Sequence, residues 1–231
     1  PKAKLVFDTV DLHYLREQRE AELAQRDDLH KQAAVTREKE LDLMRRCDVT
    51  LVVSPVEQTL LAGEVPEAQV EVLSNVHEVF GRRAEFAARA DLMFVGGYQH
   101  PPNVDAVMWF ADEILPLIRA EDPTIRFYII GSKAPESIAK LAERAGIVFH
   151  GFVEDIEPLL DGIRIAVAPL RWGAGVKGKV NMSMSYGQPL FFFGGLFMVN
   201  APAAQNSADR HAKKAAAAAA ERTALLAHSA A

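Results

Sequence analysis

The chain has 231 residues, 49% of them hydrophobic, a formal net charge of −5 and a single cysteine. That length and apolar content support one large or two small buried cores and exclude a disordered chain. The acidic balance leaves no basic stripe for a phosphodiester backbone, which excludes nucleic acid as the expected partner. A lone cysteine excludes an internal disulfide or a cysteine metal cluster and fits a reducing compartment.

In chain order, Lys4 to Asp8 (KLVFD) and Thr50 to Ser54 (TLVVS) are short apolar runs with the look of buried parallel strands. Between them lies an Arg-, Glu-, Leu- and Ala-rich stretch, expected as one long or two broken helices. Asp11 is the candidate N-cap, and Arg45 and Arg46 suit the C-terminal dipole. Its leucines hold no single heptad register, so a solvated helix face is expected rather than a coiled coil. Cys47 reads as a small buried hydrophobe. A third strand, Gln69 to Leu73, precedes an aperiodic linker, SNVHEVFGRRAEFAARAD.

From Asp91 a strand–helix pattern repeats: LMFVGG, helix Val104 to Arg119, IRFYIIG, helix Pro135 to Ala145, IVFHG, helix Asp155 to Leu160, RIAVAPL, helix Val176 to Tyr186, then LFFF. This is the grammar of an α/β fold with a Rossmann-like, doubly wound parallel sheet. Trp109 and Phe110 are expected in the core, and so are Met182 and Met184. The apolar run Pro189 to Val199 is about half the length needed to cross a bilayer and reads as a buried strand. The expected division is residues 1–80, 81–200 and an Ala-rich terminal helix over 201–231.

The stretch RWGAGVKGKVNMSMSYGQP (171–189) contains a G-x-G-x-x-G pattern at Gly173, Gly175 and Gly178. Three readings compete. A dinucleotide fingerprint needs a ribose-binding carboxylate about 20 residues on, and none occurs between Asp161 and Asp209. A diphosphate site suits Arg171, Lys177 and Lys179 beside glycines that let backbone N–H groups approach an anion. A plain strand-to-helix bend needs no ligand at all. Glycine recurs after the preceding strands as well, at Gly96–Gly97, Gly131 and Gly151, with Asn103 as a cap for the first of the following helices. Glycine on four successive carboxyl ends points to a nucleotide-sized ligand.

Taken together, FVGGYQHPPNVDAVMWF, YIIGS, FHGFVEDIEPLL and APLRWGAGVKGKVNMSMSYGQP resemble the donor-binding domain of bacterial GT-B glycosyltransferases, the retaining, nucleotide-sugar-dependent group 1 enzymes. VFDTVDLHYLREQRE, CDVTLVVSPVEQ and VEVLSNVHE are similar to the last part of that family's acceptor domain. The resemblance spans about Leu5 to Pro189 and implies the donor domain of a GT-B enzyme preceded by the final part of a second Rossmann-like domain. It implies a nucleotide diphosphate sugar as donor substrate, with no metal or other cofactor, and a glycan or lipid-linked acceptor of cell-surface polysaccharide synthesis. It implies that the backbone of Gly151, Phe152 and Val153 meets the base and that Gly96 and Gly97 flank the acceptor cleft. Arg171, Lys177 and Lys179, with Gly175 in the same loop, would steady the pyrophosphate.

The pattern departs from the family in three places. Two glutamates that many relatives carry eight positions apart fall on Ala174 and Met182, so no catalytic residue is assigned. The acidic-glycine motif expected after GQP is replaced by LFFFGGLFMVNAPAAQ, and most of the acceptor domain would precede Pro1. The chain thus reads as an incomplete, cytoplasmic enzyme, with peripheral association at the inner face of a membrane compatible with that reading. The rivals are an inactive nucleotide- or phosphate-binding module and a purely structural remnant. His13, beside Asp8 and Asp11, reads as part of a capped strand end, and His77 with Glu78 as part of the connection between domains.

Overall fold

The computed structural model describes residues 3–81 and 83–192, so the expected helix over 201–231 and most of the run after Phe192 lie outside the described residues. The chain forms two compact units. Among the described residues, one comprises the chain up to His77 together with Trp172–Gly178; the other comprises Glu78–Arg171 and the chain from Lys179 to Phe192.

In the first unit, β1 (Val6–Asp8), α1 (His13–Ala24), α2 (Asp27–Arg46), β2 (Val49–Val52), α3 (Pro55–Glu64) and β3 (Val70–Val72) follow one another. The three strands pair in parallel in the order β1-β2-β3. Leu12, Tyr14, Leu41, Met44, Val52, Leu61 and Val65 form the core. The break between α1 and α2 falls at Gln25, whose left-handed φ of 53° turns the chain back. Two carboxylates end helices in different ways. At the start of α3 the Ser54 hydroxyl accepts from the Glu57 N–H at 3.3 Å and donates to Glu57 Oε2 at 3.2 Å, with Pro55 in the first turn. On α1 the expected cap by Asp11 is not made: the N-cap is Leu12, without a side-chain bond. The His13 and Tyr14 N–H groups donate instead to the buried Glu40 carboxylate of α2, at 3.1 and 3.0 Å. Asp11 accepts from Arg16 at 2.7 Å. Cys47 is half-buried rather than buried.

The second unit contains β4 (Ala90–Val95), α4 (Pro101–Trp109), α5 (Leu115–Glu121), β5 (Phe127–Ile130), α6 (Glu136–Ala139), β6 (Ile147–Gly151), α7 (Glu157–Gly162), β7 (Ile163–Ala168), α8 (Gly178–Ser185) and β8 (Leu190–Phe192). Its sheet is all parallel, in the order β6-β5-β4-β7-β8. Strand side chains alternate between two buried faces, as a doubly wound sheet requires. Leu92 and Phe94 of β4 join Phe110, Phe127 and Ile129 on one side, while Met93 joins Ile130, Leu160, Ile163 and Tyr186 on the other. The expected helix over 104–119 starts earlier, at Pro101, and carries a wide π turn at Phe110–Ile114. Pro116 has no N–H to donate one turn back, which breaks the regular ladder there. Phe110 is in the core and Trp109 packs partly buried against it, whereas Met184 is 67% exposed and not in the core. Among the described residues no helix is long and apolar enough to cross a membrane.

The carboxyl ends of β4, β5 and β6 are stitched together by their glycines. The Gly96 N–H donates to Ile130 at 3.0 Å and the Gly131 N–H to Gly151 at 2.7 Å. Gly131 has φ of +145°, and a Cβ there would sit 1.8 Å from the Gly96 carbonyl oxygen. A Cβ at Gly97 would meet nothing within 4 Å. Gly131→Ala is therefore expected to destabilise the protein by about 3 kcal/mol, from backbone strain plus the overlap. Gly97→Ala is expected within about 1 kcal/mol of the parent. Urea denaturation of the two variants checks this.

Candidate functional site

The strand order of the second unit reverses between β4 and β7, because the chain first adds β5 and β6 on one side of β4 and then returns to the other. Open α/β sheets leave a crevice at the carboxyl ends of the two strands that flank such a reversal. Here those ends are Gly96–Gly97 after β4 and Pro169–Arg171 after β7, and α4 begins at Pro101 beside the first. The first two residues of α4, Pro101 and Pro102, carry no N–H, and the Asn103 N–H donates to the His100 carbonyl at 2.9 Å, so the helix start brings side chains rather than backbone donors to that rim.

Side chains from distant parts of the sequence meet there. The Lys179 ammonium donates to Asn103 Oδ1 at 2.6 Å and lies 4.7 Å from the centre of the Phe94 ring. Asn103 Nδ2 donates to the Gly97 carbonyl at 2.7 Å. Asn103 is therefore not the cap expected from the sequence. It is the third residue of α4, and its buried amide turns back onto the β4 loop. Arg171 grips Asp105 of α4 with both arms of its guanidinium, one at 2.9 Å, and covers the Trp109 ring at 5.6 Å. In this arrangement Arg171 braces the end of β7 against α4. At the outer end of the same rim, Gly151 is left-handed (φ +67°), Val153 packs against the core and Phe152 is 74% exposed.

Lys177 and Gly175 belong to the first unit's portion of the loop. The Lys177 ammonium donates to Ala174 O, and Arg19 of α1 donates to Gly173 O. Gly175 (φ +68°) lies where a Cβ would be 2.8 Å from Cβ of Asp11. Burial pushes Lys177 down from its ordinary value to about 8, with Arg19 and Arg16 acting in the same direction and Asp11 and Glu57 opposing. Burial also lowers Arg19 and raises Glu57. Glu57 Oε2 accepts from the Val53 N–H and the Ser54 hydroxyl, both at 3.2 Å, while Oε1 is buried without a hydrogen-bond partner among the described residues.

The residues singled out from sequence thus fall into three groups. Gly96, Gly97, Arg171 and Lys179 cluster with α4 at the strand-order reversal. Gly151, Phe152 and Val153 lie on the same sheet's carboxyl rim, two strands away. Gly175 and Lys177 are grouped with the first unit. Sequence reading missed the Asn103 amide, Asp105 and Phe94 as the partners of the two cations. Asn103 lies 76 residues from Lys179 and Asp105 lies 66 from Arg171, so no local pattern announces either pair. His13 Nδ1 lies 3.0 Å from Glu40 Oε1 of α2, so its hydrogen-bond partner is a carboxylate of the next helix and not the Asp-rich cap expected beside it. A shallow hollow bounded by Ala111, Leu115, Arg119, Arg144 and Ile147 lies at the amino end of β6, away from this rim.

Residues 89–196 match the family described as glycosyl transferases group 1, as the sequence resemblance implied. A curated relative from Klebsiella pneumoniae, an uncharacterised 44.6 kDa protein of the cps region, is 28% identical over 98 residues, 38% of this chain and 25% of its own length. The fold is shared with several crystal structures. Sucrose-phosphate synthase from Thermosynechococcus elongatus matches with a TM-score of 0.61 at 18% identity, over 83% of this chain and 51% of that one. HepE from Anabaena, solved with UDP and glucose, matches with 0.54 at 12% identity, over 96% and 66%. A TarM mutant from S. aureus, solved with fondaparinux, alpha-GlcNAc-glycerol and UDP, matches with 0.57 at 13% identity, over 68% and 32%. The chain therefore spans a quarter of its curated relative and between a third and two thirds of these structures.

The depressed Lys177 pKa has a consequence for stability. The folded chain releases this proton near pH 8, whereas the unfolded chain holds it to about pH 10.4. Between those values the unfolded state binds more protons, so this contribution to stability rises with pH and its penalty is complete below pH 8. Lys177→Met is expected to stabilise the ligand-free protein at pH 7, with the advantage shrinking by pH 10.5. Denaturation midpoints of both proteins across that window check this, and an unchanged difference would contradict it.

Proposed function

We propose that this chain, whose residues 89–196 carry the match to group 1 glycosyltransferases, is the donor-binding part of a glycosyltransferase that takes a nucleoside diphosphate sugar. The observation that carries the reading is the Lys179 ammonium held at the strand-order reversal of the second unit, beside Gly97 and the N-terminus of α4. A diphosphate leaving group gains negative charge as its bond to the sugar breaks. A fixed cation at that point stabilises the transition state more than the ground state.

With the diphosphate at the reversal point, the nucleoside extends across β5 toward β6. That is two strand spacings, about 10 Å, and it brings the base to Gly151, Phe152 and Val153. The exposed Phe152 ring offers a face on which the base can stack. Gly97, where a Cβ would meet nothing within 4 Å, leaves the sugar side of the rim open for an acceptor, with Gly96 packed against Asn103 and Phe94 behind it. The acceptor we assign is a glycan or lipid-linked glycan of a cell-surface polysaccharide, and we place the protein in the cytoplasm, with peripheral contact to a membrane compatible with that role. The reading assigns no metal or cofactor to transfer; charge neutralisation falls to Lys179, with Arg171 bracing the end of β7 against α4.

Isothermal titration with UDP and GDP tests the binding step, and sugar release from labelled donors tests transfer. Lys179→Ala is expected to weaken diphosphate binding about tenfold or more. Phe152→Ala is expected to weaken nucleoside diphosphate binding about tenfold while leaving inorganic pyrophosphate unaffected. Binding without sugar release would reduce the chain to a nucleotide-binding module. Unaltered affinity in Lys179→Ala would remove that residue from the site.

A further inference from the structure

We propose that Asn103 is the positioning residue of the diphosphate site, a neutral clamp that aims Lys179 without cancelling its charge; this rests on the reading of the rim given above. The amide is 5% exposed and both of its ends are engaged. Its orientation follows from its partners: the Gly97 carbonyl can only accept and the Lys179 ammonium can only donate, so nitrogen faces Gly97 and oxygen faces Lys179. One side chain thereby ties the loop after β4 to the first turn of α8, across the point where the strand order reverses.

The surroundings are shaped to hold this amide. A Cβ at Gly96 would lie 2.8 Å from Asn103 Nδ2 and 2.9 Å from Phe94 Cε1, so glycine there leaves room for both the amide and the ring. Phe94 in turn lies under the Lys179 ammonium. A lysine has a flexible four-carbon stem and loses considerable rotamer entropy when fixed. Held by the amide and the ring face, that loss is taken during folding rather than on binding. The choice of asparagine also carries information. At the third position of a helix an acidic residue interacts better with the dipole, and a carboxylate would bind the ammonium more strongly than an amide. Either gain would place a negative charge beside a site for anions. Asparagine keeps the acceptor and leaves the positive charge uncompensated by this partner.

The test is calorimetric titration of the whole chain with UDP and with inorganic pyrophosphate, using Asn103→Asp, Asn103→Ala, Lys179→Ala and the Asn103→Ala/Lys179→Ala double variant, each with its melting temperature. Asn103→Ala is expected to lose about tenfold in affinity for both ligands. The nearly isosteric Asn103→Asp is expected to lose more affinity than Asn103→Ala, because its new charge opposes the ligand, and to melt below the parent, because a carboxylate cannot donate to the Gly97 carbonyl. The double variant is expected to bind no worse than Lys179→Ala, since the amide acts through the lysine. Parent-like affinity in both Asn103 variants, additive losses in the double variant, or failure of both to fold would overturn the assignment. Failure of the parent chain to bind UDP, GDP or pyrophosphate would instead remove the diphosphate reading on which it stands.

Discussion

The arrangement depends on one topological constraint, the reversal of strand order between β4 and β7. Parallel strands are joined by crossovers that keep one hand, so a sheet that grows first to one side and then to the other sends its helices to opposite faces. At the reversal no crossover covers the strand ends, and the loops from both halves border the same gap. The Gly96–Gly97 loop and the first turn of α8 with Lys179 sit on that border. The glycine contacts along β4, β5 and β6 keep this rim closely packed, with Gly131 backed against the Gly96 carbonyl.

The two lysines of the GVKGK stretch are held in contrasting electrostatic settings. Lys177 is desolvated, turned onto the Ala174 carbonyl and pushed to a pKa of about 8, so its charge is costly in the ligand-free protein. Lys179 is stabilised by an amide oxygen and an aromatic face. The guanidinium of Arg171, engaged by Asp105 and Trp109, braces the end of β7 against α4.

The sheet was legible in the sequence because buried parallel strands are short apolar runs and need no partner to be recognised: LMFV, FYII, IVFH and IAVA each fall on a strand of the second unit. Features that close over long sequence distances were not legible. The α1 cap comes from Glu40, twenty-seven residues from His13, so the nearby Asp11 was a natural but mistaken choice. Asn103 beside a helix start looked like a cap, yet Pro101 and Pro102 begin the helix before it and free its amide for the β4 loop. Met184 follows the apolar spacing of α8 but is exposed, because periodicity marks a face without saying what covers it. The three cations of the loop were found by type, and their division between partners was not.

The most direct measurement is a crystal structure of this chain with UDP bound. The account expects the diphosphate between the ends of β4 and β7, within hydrogen-bonding distance of Lys179, with the uracil ring over Phe152. A diphosphate seated away from the carboxyl rim of the five-stranded sheet, or UDP bound with Lys179 still turned wholly to Asn103 and no phosphate near it, would contradict it.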